Sequence, residues 1–204
     1  MLAIFHNQSW RQRWLALLWP RLVNRQAADE RPKSNAGESV SAEIADWSRE
    51  NPRRFWDPSR KLLRAIRNYQ FWRSRSGIMP SFLCKWCILR HRFWSVVTGA
   101  EIPLNCNIGG GLLIHHPNGI VIAPEAKIGV NCLIFQQVTI ASRGNGGAPV
   151  IAGHVDIGAG AKIFGPVHIG AHAEVAANSV VLRNVPTRAV AAGLPARNIT
   201  WAKP

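Results

Sequence analysis

From residue 102 onward, aliphatic side chains recur at every sixth position, and that period constrains the fold more tightly than any other feature of the chain. Ile102, Ile108, Ile114 and Ile120 form one register. A two-residue slip gives Ile122, Ile128, Ile134 and Ile140, and after an insertion come Ile151, Ile157, Ile163, Ile169, Val175 and Val181. Six is neither the two of a half-buried strand nor the roughly 3.6 of a helix. Four residues after most anchors stands a small or aliphatic residue, among them Cys106, Ala126, Cys132, Val138, Ala161, Ala173 and Ser179. One large and one smaller inward position per repeat describe a narrow interior. Such a chain winds as a prism, with a short parallel strand on each flat face and a turn at each corner. Gly129, Gly158 and Gly170, each directly after an anchor, suit corners where a Cβ would be crowded. Each coil buries its anchors against those above and below, so the ends need caps. The predicted fold is mainly β, a parallel β-helix preceded by an α-helical amino-terminal region.

The rest of the chain divides by composition. Residues 1–25 interleave Trp10, Trp14, Trp19, Leu15 and Leu18 with Arg11, Arg13, Arg21 and Arg25, as a basic amphipathic segment does. Residues 26–45, with Pro32, Ser34, Asn35, Gly37 and Ser39, read as a poorly ordered linker. Residues 46–99 return to helical composition, with two or three helices broken near Gly77–Pro80. The β-helix is placed at 100–190 and a tail at 191–204. The net charge of +14 is uneven: residues 1–100 carry 18 Lys and Arg against 7 Asp and Glu, the remainder 7 against 4. Its effect therefore belongs to the amino-terminal half, where residues 1–25 read either as a helix in contact with an anionic membrane surface or as a helix packed on a neighbouring subunit. Nucleic-acid binding is not expected, because no recognised module accompanies the basic residues. Four cysteines without scaffold spacing and no cleavable leader pattern point to a reducing, cytoplasmic location, and the membrane reading of residues 1–25 would make it peripheral at the inner face of the membrane.

The stretch Ile157 to Arg197, IGAGAKIFGPVHIGAHAEVAANSVVLRNVPTRAVAAGLPAR, resembles the closing coils of the hexapeptide-repeat acyltransferases, and among them the serine acetyltransferase branch. IHHPNGIVI at 114–122 and QQVTIASRG at 136–144 extend the resemblance over about the last hundred residues. It implies a left-handed coil, acetyl-CoA as co-substrate, no metal, and a homotrimer with acetyl-CoA lying between neighbouring prisms.

Moving an acetyl group from a thioester to a hydroxyl needs a base, oxyanion donors and a groove for the coenzyme. His116 matches the family's catalytic histidine and, two residues after Ile114, faces outward. Its neighbour His115 stands where the serine-specific enzymes carry an aspartate, and a second family histidine would fall near Ala148. His154 lies outside that motif. These departures remove groups that would hold the ammonium and carboxylate of serine. The acceptor is therefore read first as a sugar hydroxyl of an envelope polysaccharide or its precursor, as in related polysaccharide acetyltransferases. Serine, feeding cysteine synthesis, is the alternative, and a β-helix scaffold without catalysis is another.

By resemblance, backbone donors at Ala141–Ser142 and Gly160–Ala161, with Lys162, line the coenzyme groove. Arg143, in the Gly-rich insertion between Ile140 and Ile151, meets an anionic group of the coenzyme or acceptor. Asp57-Pro58 is similar to an Asp-Pro of the serine enzymes whose aspartate reaches the acceptor, although an ordinary helix N-cap followed by proline explains the pair and is the preferred reading. Cys84 and Cys87 form a C-x-x-C without a second pair, and Cys106 and Cys132 fall on smaller inward positions as compact apolar fillers.

Overall fold

A computed structural model describes residues 40–199 of the chain. The basic segment 1–25 and most of the expected linker lie outside the described residues.

A 3₁₀ turn at Trp47–Glu50 leads to helices α1 (Pro58–Arg73) and α2 (Ile78–Thr98). Pro80 sits within the first turn of α2, where its missing N–H falls among donors a helix leaves unused. The break lies just ahead of it, and Gly99, at φ +62°, ends the helix in the left-handed conformation. Twelve short strands then wind the prism, in order β1 (Asn107–Ile108), β2 (Leu113–Ile114), β3 (Val121–Ile122), β4 (Lys127–Ile128), β5 (Leu133–Ile134) and β6 (Thr139–Ala141). They continue as β7 (Val150–Ile151), β8 (Asp156–Ile157), β9 (Lys162–Phe164), β10 (His168–Ile169), β11 (Glu174–Val175) and β12 (Val180–Val181). Every third strand joins one sheet: β1-β4-β7-β10 on the first face, β2-β5-β8-β11 on the second, β3-β6-β9-β12 on the third. All these pairings are parallel, and the anchors stack in register, Ile114 on Ile134 on Ile157 on Val175. The result is the expected β-helix, of about 4 turns.

The anchors and the smaller positions between them are buried and form one continuous core. Ile120 departs from the expected pattern. It is fully buried, but it takes the smaller inward place ahead of Ile122, as Cys106 does ahead of Ile108, and the strand starts at Val121. The two additional residues of the slip are taken up in the corner His115–Gly119, where Gly119 adopts φ +67°. The glycine expectation holds physically. A Cβ on Gly129 would lie 2.5 Å from the Ala152 carbonyl carbon of the next coil, and one on Gly170 2.4 Å from the Thr187 nitrogen.

The helices cover the first coil. Leu62, Leu63, Ile66 and Trp94 join the core cluster of Ile102, Cys106 and Ile108. Arg67 pairs with buried Glu50 at 2.9 Å and donates at 2.6 Å to both the Ile108 and Gly109 carbonyls, tying α1 to the rim. The expected linker behaves differently from Ser41 onward. Asn131, itself at φ +58°, donates to the Ser41 and Ile44 carbonyls and accepts from the Asp46 N–H, which fixes this stretch along a corner. At the far end the sheet passes the boundary expected at 190. A hairpin of β13 (Val190–Gly193) and β14 (Ala196–Ile199) extends the second face, β13 parallel to β11 and β14 antiparallel to β13.

Candidate active site

His115 and His116 leave the second face at the corner after β2, both exposed. The same offset from the anchor recurs at each coil below: Phe135–Gln136 after β5, Gly158–Ala159 after β8, Ala176–Ala177 after β11. His116, those residues and the outward side chains of Leu133, Asp156 and Glu174 line an open groove of about 640 Å³. Side chains become smaller down the corner, so the groove opens away from His116. The His115 ring packs against Phe135, with centroids 5.8 Å apart. Gln136 Oε1 is buried without a hydrogen-bond donor among the described residues, an acceptor suited to an N–H or O–H brought by a ligand. Two carboxylates line this groove and no Lys or Arg does.

The residues expected around the coenzyme fall on two different edges. Gly160, at φ +72°, lies on the His116 edge one turn below Gln137. Lys162 follows on β9, its Nζ donating to the Gln137 carbonyl at 2.7 Å and to Thr139 Oγ1 at 3.0 Å. Ala161 corrects the expectation that it offers donors outward. Its side chain is fully buried, its N–H goes to the Gly158 carbonyl and its own carbonyl accepts from Thr139. Ala141, Ser142 and Arg143 lie across the third face, at the corner between β6 and β7. Within a single chain they do not share the His116 corner. Asp57 accepts from the Arg53 N–H and pairs with Arg60 at 3.1 Å, so its carboxylate is already engaged. It precedes α1 as expected, but it is the Asp57 carbonyl that accepts, from the Lys61 N–H, and the side chain does not cap the helix.

Sequence reading missed Phe135, Gln136, Asp156 and Glu174. Their signal was the constant offset from Ile134, Ile157 and Val175, which matches the offset of His116 from Ile114 once the coils are stacked. Burial pushes the Cys106 and Cys132 thiols up to about 11, consistent with inert fillers. The described residues contain no cluster of three or more metal-ligating side chains. None of the described helices is long and apolar enough to cross a membrane.

No protein-family model matches the sequence. The serine acetyltransferase of Synechococcus elongatus is 40% identical over 107 residues, covering 51% of this chain and 44% of that protein. The serine acetyltransferase of Escherichia coli K12 is 42% identical over 106 residues, 50% of this chain and 39% of its own length. Among solved structures, the soybean serine acetyltransferase apoenzyme superposes with a TM-score of 0.59 at 34% identity, covering 70% of this chain and 57% of that one. A serine acetyltransferase in complex with CoA gives 0.59 at 31% identity, with 71% and 58% covered. The prism is a hexapeptide-repeat acyltransferase fold, serine acetyltransferase-like. The chain spans about half the length of the curated relatives it matches. In this hexapeptide-repeat domain, His116 thus stands at the head of a groove on a scaffold type that has been solved with CoA.

Proposed function

We propose that the protein is an acetyl-CoA-dependent O-acetyltransferase with His116 as general base. The acceptor hydroxyl oxygen attacks the thioester carbonyl carbon while its proton passes to the imidazole. When the tetrahedral adduct collapses, the C–S bond breaks and the proton is delivered to the departing sulfur as the free thiol. An imidazole suits both transfers because its ordinary pKa lies near neutrality. The observation that carries this reading is the position of His116 at the head of an open groove whose far corners are the small residues Gly158, Ala159, Ala176 and Ala177, on a fold similar to a serine acetyltransferase solved with CoA.

Serine is the acceptor the relatives' names support, which places it ahead of the sugar hydroxyl favoured by the sequence. The sugar reading retains one specific observation: His115, at the position where the resemblance implies an aspartate for serine-specific enzymes, lies against Phe135. We further propose a trimer. The His116 edge of one copy would then meet the Ala141–Arg143 edge of the next and complete the coenzyme groove.

The test is release of the coenzyme A thiol from acetyl-CoA with serine or a panel of sugars, for the wild type and His116→Ala. Serine-dependent turnover that falls by about 10²–10⁴-fold in His116→Ala is the expected result. Turnover with sugars alone would transfer the assignment to the polysaccharide acceptor. No turnover with either, and identical acetyl-CoA binding by both proteins, would sink the catalytic reading in favour of a scaffold.

A further inference from the structure

Helix α2 has two apolar faces, and only one of them has a partner in the described structure. Cys87, Trp94 and Thr98 are buried against the rest of the molecule. On the opposite side Met79, Phe82, Trp86, Leu89, Phe93 and Val96 are spaced three and four residues apart in strict alternation. All six are more than half exposed, from 53% at Trp86 to 84% at Val96. At about 100° per residue they form a stripe about 100° wide along nearly the whole helix. Solitary exposed apolar residues are ordinary, but a continuous stripe of this length marks a contact surface.

Charge identifies the occupant. Residues 58–98 contain nine Lys and Arg and no Asp or Glu. Arg60 and Arg67 are committed to Asp57 and Glu50. On the helical wheel Lys85 and Arg92 border the stripe on one side and Arg90 borders it on the other. Long basic side chains at the margins of an apolar face can bury their stems and leave their charges at the level of lipid phosphates. A second copy docked stripe to stripe would instead set these cations against their own equivalents, with no acidic residue on either helix to offset them. A helix unable to cross the membrane can still lie in its surface plane.

We propose that the outward face of α2 docks the protein on an anionic lipid surface, with Phe82, Trp86, Leu89 and Phe93 entering the headgroup boundary and Lys85, Arg90 and Arg92 meeting phosphates. This surface is formed by residues of α2 alone, and the proposal stands whichever acceptor the protein uses.

The experiment is flotation of the full chain with vesicles of about three parts phosphatidylcholine to one part phosphatidylglycerol, against pure phosphatidylcholine. The wild type is expected to float with the anionic vesicles and to be released by added salt. The triple variant Phe82→Gln, Leu89→Gln, Phe93→Gln is expected to bind at least about tenfold more weakly while keeping its circular dichroism spectrum and thiol-release activity. Equal flotation of wild type and variant would overturn the proposal and transfer membrane contact to another segment. A wild type that never floats, or a variant whose change appears in sedimentation as a smaller assembly with flotation untouched, would also overturn it. The last result would make the stripe an interface between copies.

Discussion

His154 and His172 are the same corner position on successive coils, held at φ +53° and +59° with their Nδ1 atoms 2.8 Å apart. That contact needs one Nδ1–H and one lone pair, so the pair cannot carry a proton on both facing nitrogens and keep its hydrogen bond. Burial lowers the His154 pKa below its ordinary 6.5; Asp156 opposes this, while His172 and Arg49 add to it. With a depressed folded-state pKa, the unfolded chain binds protons first as pH falls, so this contribution to stability is complete above about 6.5 and is lost below it. The thermal midpoint of the wild type is therefore expected to fall more between pH 7.5 and 5.5, about one unit either side of the ordinary histidine value, than that of His154→Asn. Asparagine keeps the left-handed backbone and removes the titration. Parallel melting curves for the two proteins would refute the assignment. The sequence showed His154 only as a residue outside a motif, because its partner is 18 residues away and becomes a neighbour only when coils stack.

At the scale of the strand and its corner, the anchors and their glycines were legible because stacking identical positions leaves the sequence little freedom. Gly129→Ala would place a methyl 2.5 Å from both Ala152 and Gly153 backbone atoms, and two packed coils must separate to admit it. A loss of about 2–3 kcal/mol is expected, read as a lower urea midpoint at unchanged m-value. A midpoint within error of the wild type would show that the corner yields. The expectations that failed did so for local reasons. Ile120 was read as an anchor because large and small inward places both held isoleucine, and spacing alone cannot separate them. The end of the sheet was set short because Val190–Gly193 pairs through its backbone with no hexad anchor to announce it. In α2 both faces are apolar, so composition showed a helix but not which side was covered.

For the whole molecule, the decisive fact is that residues expected in one groove occupy two edges of the prism. In the proposed trimer each groove draws on two copies. Co-expressed His116→Ala and Arg143→Glu chains, each inactive alone, are then expected to recover about a quarter of wild-type thiol release by random assortment around the ring. Recovery no greater than the sum of the two parents would remove the shared groove. His116 was legible through the motif around it, whereas the groove wall below it was not, since Gln136, Asp156 and Glu174 belong to separate repeats and meet only in three dimensions. In the proposed site that wall would set a length scale. Each coil advances the corner by one inter-strand step of about 4.8 Å, so the three steps from His116 to Ala177 span about 14 Å. If the proposed groove holds the coenzyme, the reach of the bound molecule would be counted in coils. A chain with one more coil of the same repeat would keep its histidine in place and accept a ligand longer by one step, a change in substrate length that needs no new design of the core.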